Sequence, residues 1–345
     1  MVNKMAIVNL NEIKTRVYNI FTKAGLTAED AQIITDILTD AQMKGLYTHG
    51  YVRVKKYVDC IKAGGIAPEG NPEIITDTPS WASLDGKGGL GIIIAYKAAK
   101  LAIEKAKATG VGIVNIRGSH HLGAVGYYAA MCADEGMFSM AMSNGDAMLA
   151  ATGSRQSNIG NNPFAYAVPA GKYDKILYDV AISLGSDMKI IQMQEEGRPV
   201  PDGWMIDKNG KPSNTPSDYL AGGVLLPFGG YKGYGLALMV ETFAAVLSGA
   251  AMTHNVHAWN KTPGACGDVG HFIMALDISR MGDPEAYAKR VESLIDEIKA
   301  SELAEGADQI YYPGEKEHIS RAKCVESGTV FVADSTMALL AEAEK

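Results

Sequence analysis

The chain is poor in several features that would each have pointed to a class of protein. It has four cysteines in 345 residues, Cys60, Cys132, Cys266 and Cys324. They are widely scattered with no Cys-x-x-Cys pair, which excludes a disulfide framework and a thiolate zinc site and leaves reduced, mostly buried thiols. Basic residues are in deficit. With 32 Lys and Arg against 39 Asp and Glu, the formal net charge is −7, which argues against a nucleic-acid footprint. No apolar run reaches membrane-spanning length, so no membrane partner is expected. Residues 1–14 alternate polar and apolar side chains and lack the apolar core of a signal peptide, so a cytoplasmic location is expected. There is no internal repeat and no low-complexity tract. What remains is an ordinary soluble composition, 47% hydrophobic and 21% charged, with length enough for two domains.

Periodicity divides the chain. Leu10, Ile13, Val17, Ile20 and Phe21 recur at helical spacing, and Gly25 ends the run. Thr27-Ala28-Glu29-Asp30 resembles a capping box with Asp for the usual Glu. It predicts a helix carrying Ile33, Ile34, Ile37, Leu38 and Ala41, stopped at Gly45. A third helix is expected from about Tyr51 to Lys62. A Pro-containing stretch at 66–78 reads as a boundary, and beyond it strands and helices mix. Strands are expected at 81–84, 111–116, 138–142, 164–168, 176–180 and 271–278. Helices are expected at 91–108, 127–135, 233–247 and around 287–298. The predicted organisation is a mainly helical part over 1–75, joined by the C-terminal region of about 280–345, and a second part over 76–279.

Gly86-Lys87-Gly88-Gly89-Leu90-Gly91 matches G-x-G-x-x-G after a short strand and before a helix, as a Rossmann dinucleotide turn would. No acid closes the next strand, which ends in Asn115, Ile116 and Arg117, and the later strands lack regular strand–helix alternation. A lone glycine fingerprint is weak evidence. The more informative stretch is Arg117-Gly118-Ser119-His120-His121-Leu122-Gly123, two imidazoles at the end of an apolar run. Imidazole takes and gives protons near neutral pH. His121 reads as a general acid/base or as a buried structural histidine, and His49, in Thr48-His49-Gly50-Tyr51-Val52-Arg53, is its rival. Adjacent strand residues face opposite ways, which disfavours one metal ion on His120 and His121, so no metal is expected. Arg53, four residues after His49, would share a helical face with it and could hold a carboxylate through two parallel hydrogen bonds, although by itself it reads first as a surface arginine of the charged run Arg53, Lys55, Lys56. Asn162, in Gly160-Asn161-Asn162-Pro163-Phe164, and Lys232, at a glycine-rich helix start, look like ligand walls. Asp179 reads as a contact to a ribose or amide, or as a helix cap.

In these residues the chain resembles the malate/L-lactate dehydrogenase type-2 family, which includes ureidoglycolate, sulfolactate and diketogulonate oxidoreductases. The resemblance runs through Thr48-His49-Gly50 to Arg53, Gly64-Gly65-Ile66, His121-x-Gly123-x-x-Gly126-Tyr127-Tyr128, Asn162-Pro163-Phe164-Ala165, Asp179-Val180-Ala181, Lys232-Gly233-Tyr234-Gly235 and Tyr312-Pro313-Gly314-Glu315. It implies an α+β fold in which NAD or NADP lies on a non-Rossmann, largely antiparallel domain beside a mainly helical one, with subunits paired as homodimers. It implies hydride transfer between nicotinamide and C2 of a small 2-hydroxy or 2-keto acid, with reduction of a cyclic 2-imino acid as the alternative. A protein that binds NAD(P) without turnover is the outsider. By position, His121 and His49 are its two candidate acid/bases, and Arg53 with Thr48 would meet the substrate. Asn144, Asn162, Asp179, Val180, Ala181, Lys232, Pro313, Gly314 and Glu315 would meet the cofactor. The chain departs from the family pattern at Thr48, Gly145 and Asn161, and Ser186-Asp187-Met188-Lys189 lacks a frequent Trp-Gly.

Overall fold

The computed structural model describes residues 5–259 and 261–345. The chain opens with strand β1 (Met5–Asn9) and helices α1 (Leu10–Lys23) and α2 (Ala28–Met43). Both helices start where side chains can satisfy their first amides: Asn9 accepts from Asn11 and Glu12, and Thr27 from Asp30. The reciprocal arm of the capping box is not made. Asp30 is buried and faces Lys97 at 3.4 Å instead. The third expected helix is shorter than its spacing suggested. Two 3₁₀ turns, Tyr47–His49 and Tyr51–Arg53, precede α3 (Val54–Lys62). The break falls at Gly50, where a Cβ would stand 2.3 Å from Gln42 Oε1.

β2 (Glu73–Asp77), β3 (Trp81–Asp85), α4 (Gly91–Thr109), β4 (Val111–Ser119), α5 (Gly126–Asp134) and β5 (Met137–Ser143) follow, then β6 (Ala147–Ala150), β7 (Ser157–Gly160), β8 (Phe164–Pro169) and β9 (Lys175–Val180). Next come α6 (Asp187–Glu196), β10 (Met205–Ile206), α7 (Pro216–Leu220), β11 (Val224–Leu225) and α8 (Tyr231–Glu241), which runs into a π-turn at Thr242–Val246. The chain finishes with β12 (Val269–Asp277), α9 (Pro284–Lys299), α10 (Glu315–Ser327), β13 (Thr329–Ala333) and α11 (Asp334–Ala343).

Seven strands form one mixed sheet in the order β2-β3-β4-β12-β5-β8-β9. Only β3 and β4 pair in parallel; the other neighbours are antiparallel. Side chains alternate across β12 as a doubly covered strand requires. Ile273 and Ala275 enter the core with α4 and α5, while Phe272 enters a second cluster with Ala237, Val240 and Ala244. β1 pairs antiparallel with β13, so the described ends meet. The C-terminal elements continue onto the first helices: α11 packs on α3 and α10 on α2, where Ser320 Oγ donates to Met43 O and Arg321 meets Asp40 at 2.9 Å. α9 takes another course and seats Ile295 against Ala170 and Tyr312.

The glycine fingerprint lies in the β3–α4 turn, and its close approaches are taken by the chain itself. A Cβ at Gly91 would stand 1.9 Å from His120 O, and one at Gly86 2.9 Å from Gly118 O. The small residues let the end of β4 cross the turn, which brings His120 and His121 to the first helices.

Candidate active site

β4 ends at Ser119, and the next two residues diverge. His120 turns inward, 1% exposed, with neither ring nitrogen hydrogen-bonded. His121 turns toward α3. Its Nδ1 lies 2.6 Å from the hydroxyl of Tyr57, a fully buried side chain, and also receives the Gly123 N–H at 3.3 Å. With two donors on Nδ1, the neutral ring carries its hydrogen on Nε2, which has no hydrogen bond among the described residues. The Tyr57 hydroxyl can also accept, with its own hydrogen then toward His121 O at 3.5 Å. The ring therefore keeps its orientation in either tautomer.

The 3₁₀ turns supply the other polar groups. His49 lies nearly parallel to His121, ring centroids 5.7 Å apart and planes 12° apart, and its Nδ1 is 3.1 Å from Thr48 Oγ1. Arg53 donates through Nε to Thr48 O at 2.6 Å. It is half-buried, and no carboxylate lies within salt-bridge reach of it among the described residues. Trp259 closes the cluster. Its indole stacks on His121 at 4.5 Å and 16°, packs on Tyr57 at 5.2 Å, and takes the Arg53 guanidinium at 5.4 Å.

Burial sets the charge state here. It lowers His121 well below the ordinary histidine value, helped by Arg53 and the neighbouring imidazoles. His49 is brought to about 4, by burial first and Arg53 second. His120 falls to about 4, mainly by burial. His271, on β12, falls to about 3 for the same reason; its two nitrogens bridge Ser143 Oγ (3.0 Å) and Ser119 Oγ (2.9 Å) across three strands. At neutral pH these rings are uncharged. The unfolded chain takes up protons below about 6.5 that the buried rings refuse, so stability is lost as pH falls from there. His120 and His271 should each remove on the order of 1.4 kcal/mol per pH unit, down to about 4 and about 3 respectively. Asp179, raised to about 6 by desolvation in the recess it faces, acts in the opposite sense and offsets part of this. Thermal unfolding at pH 7, 6 and 5 should show a falling midpoint, shallower in His120→Phe; a flat profile would contradict the buried neutral rings.

A second group of the expected residues lines a cleft of about 360 Å³ beside α2 and α10. Asp179, Pro313 and Gly314 are on its walls with Tyr127, Tyr311 and Lys44. Asp179 is exposed to the cleft at the end of β9, and its Oδ2 accepts the Gly126 N–H at 2.8 Å. Val180 and Ala181 follow, half-buried. Glu315 opens α10 and is held by Lys299 (2.6 and 2.8 Å) and the Tyr312 amide, so its carboxylate shapes the turn.

The remaining expected residues lie elsewhere. Asn144 and Asn162 are buried and aim their amides at Glu241, a buried carboxylate that also accepts the Thr253 N–H. Asn162 has φ +32° and a second donor bond to Ala237 O. These two amides brace the turns on either side of β6 and β7. Lys232 is exposed in the first turn of α8. Sequence reasoning overlooked Tyr57, Trp259 and the Ser119–His271–Ser143 bridge. Tyr57 had a signal, since it stands four residues beyond Arg53 on the same helical face; Trp259 sits in an irregular segment and had none. Among the described residues no three His, Cys, Asp or Glu side chains gather closely enough to hold a metal ion.

The profile of the malate/L-lactate dehydrogenase family matches residues 8–341. A malate dehydrogenase of Pyrococcus abyssi is 39% identical over 314 residues, 89% of this chain and 85% of that protein. A Δ1-pyrroline-2-carboxylate/Δ1-piperideine-2-carboxylate reductase of Pseudomonas syringae pv. tomato is 30% identical over 312 residues, 90% of this chain and 89% of that one. The solved sulfolactate dehydrogenase of Methanocaldococcus jannaschii superposes with a TM-score of 0.92 at 33% identity, covering 98% of this chain and 96% of that one. A family match over almost the whole length, together with a shared fold, makes this chain a member of the malate/L-lactate dehydrogenase family of hydroxy-acid oxidoreductases.

Proposed function

We propose that the chain transfers a hydride between NAD or NADP and C2 of a small 2-hydroxy or 2-keto acid, at the cluster of His121, His49 and Arg53. The observation that carries this reading is the Arg53 guanidinium, partly desolvated and without a carboxylate, beside an imidazole whose Nδ1 is already engaged. An unpaired, desolvated cation costs free energy that a bound carboxylate offsets, and a guanidinium matches that planar anion. Thr48 supports the site by receiving Arg53 Nε on its carbonyl and by holding His49.

The cleft suits the dinucleotide. Leu177, Ile37, Tyr127 and Tyr311 offer apolar walls, and Asp179 offers a carboxylate for hydroxyl or amide donors. Asp179, Val180, Ala181, Pro313 and Gly314 would contact it directly and Lys232 by charge, while Asn144, Asn162 and Glu315 would hold the walls. When bound, the nicotinamide supplies the hydride acceptor or donor. The protein's part is the proton. In reduction, His121 protonated on both nitrogens would give its Nε2 proton to the keto oxygen as C2 gains its electron pair, while its Nδ1–H stays on the Tyr57 hydroxyl. In oxidation, Tyr57 accepts the Nδ1–H, and the Nε2 lone pair takes the hydroxyl proton as the C2–H electron pair departs.

Exposed Tyr231, Leu238, Val246 and Leu247, on α8 and the turn after it, support pairing of two copies. A second reading, reduction of a cyclic 2-imino acid, draws on Asp187. Its charge acts on both Arg53 and Asp146 and would favour an iminium cation.

Parallel assays of 2-keto acids and Δ1-piperideine-2-carboxylate with NADH and NADPH test both readings through loss of reduced-nicotinamide absorbance. Turnover of the keto acids alone supports the first. Dinucleotide binding without turnover of any would leave a non-catalytic NAD(P)-binding protein.

A further inference from the structure

Arg53 and His121 both border the indole of Trp259, the guanidinium carbon 5.4 Å and the imidazole centroid 4.5 Å from the ring. A substrate with its carboxylate on Arg53 and its C2 oxygen on His121 Nε2 would therefore lie beside that indole. We propose that Trp259 is a specificity-determining residue, the wall against which the C3 substituent of the substrate packs. The inference rests on the reading of Arg53 and His121 given above.

The wall is held from behind. His120 meets the indole edge-on at 5.6 Å, with both nitrogens unpartnered, so the indole is seated against a surface that offers it packing and no hydrogen bond. Residues 261 and 262 fold back on one carbonyl: Ala258 O accepts the Lys261 and Thr262 amides and the Thr262 hydroxyl. That segment docks on the end of α3, the helix whose other end follows Arg53. A Cβ at Gly65 would stand 2.1 Å from Pro263 O, and one at Gly264 3.1 Å from Ala63 O. Gly64-Gly65-Ile66, a motif with no chemistry of its own, thus acquires a purpose: Gly65 admits the backbone of the Trp259 segment. Helix and segment are registered by backbone packing, so the gap between guanidinium, imidazole and indole is fixed. A rigid apolar wall at fixed distance discriminates chain length, each methylene being worth roughly 10–200-fold in kcat/KM.

The test is reduction of glyoxylate, pyruvate, 2-oxobutyrate and 2-oxovalerate by the intact enzyme, its Trp259→Ala, Trp259→Leu and Trp259→Phe variants, and Gly65→Ala. The expected result is a rise of about tenfold or more in kcat/KM for 2-oxovalerate relative to pyruvate in Trp259→Ala and Trp259→Leu. Trp259→Phe should return toward wild type, Gly65→Ala should move in the direction of Trp259→Ala, and the KM for the reduced dinucleotide should change less than about twofold. A uniform loss across the series, or an unchanged ratio in the alanine and leucine variants, would overturn the proposal by making Trp259 merely structural. If Trp259→Ala does not fold, Trp259→Leu decides. If the wild-type enzyme reduces neither these acids nor any 2-keto acid of the wider screen described above, the functional reading itself fails, and that outcome is seen before any variant is made.

Discussion

His121→Ala is expected to lower kcat by about 10²–10⁴-fold while leaving dinucleotide affinity nearly unchanged. The ring's Nε2 is the one imidazole nitrogen of the cluster that is both oriented by a buried partner and free to face a ligand. Its loss removes the group that exchanges a proton with the C2 oxygen, whereas the cleft at Asp179, Pro313 and Gly314 is lined by other residues. Alanine also strands the Tyr57 hydroxyl, which costs roughly 1–3 kcal/mol of stability. His121→Gln is the companion variant, because its amide can still meet Tyr57 and separates the chemical loss from the structural one. His49→Ala should cost much less: His49 is held by an exposed threonine and stands beside His121 without a hydrogen bond to it. Rapid-mixing or steady-state rates with the best substrate of the screen decide between them. A fully active His121→Ala enzyme transfers the proton role to His49. The pH profile gives a second check. Oxidation needs neutral His121, which burial and Arg53 hold well below 6.5, so kcat/KM should stay high as pH falls through 6.5 and drop only lower. The acid limb should vanish in His121→Gln.

The second large effect is at Arg53. Arg53→Lys is expected to raise the KM for the 2-keto acid by about 10–100-fold, equivalent to roughly 1.5–3 kcal/mol for hydrogen bonds to a charged group. Lysine keeps the positive charge but loses the planar fork, and it cannot reproduce the Nε–H bond to Thr48 O that aims the group. It also gives up the guanidinium's contact with the Trp259 face. The KM for the dinucleotide should hold. A drop in kcat with KM intact would place Arg53 on the transition state alone, and an unchanged KM would take the substrate carboxylate away from it.

Much of this architecture was legible from pattern. The apolar spacing in α1 and α2, the N-cap at Thr27, the α4 and β4 pair and the α9 helix follow local rules, and local rules are what a sequence displays. The β1–β13 pair was not legible. Its two short strands are more than 300 residues apart, and neither has the length or alternation to announce a partner. The α8 helix was foreseen, but its passage into a π-turn was not, because the change depends on what packs around Thr242–Val246.

The candidate site divides along the same line. His121 and His49 were candidates from residue type and setting, each equally readable as a structural histidine, and Arg53 was singled out by the family resemblance, since its spacing alone suits a surface arginine. The hydrogen-bond partners of Asn144, Asn162 and Glu315 were not identifiable, since an amide or a carboxylate looks the same in sequence whatever it faces, here Glu241 and Lys299. Sequence alone determined which imidazoles and which guanidinium are candidates for the site, and in what order the helices and strands form. Tertiary structure decided which imidazole Tyr57 would hold, that His120 would be buried without a partner, and that Trp259 would lie over His121. The physical reason is that hydrogen-bond partners, desolvation and stacking are properties of groups brought together across hundreds of residues. No local pattern encodes them.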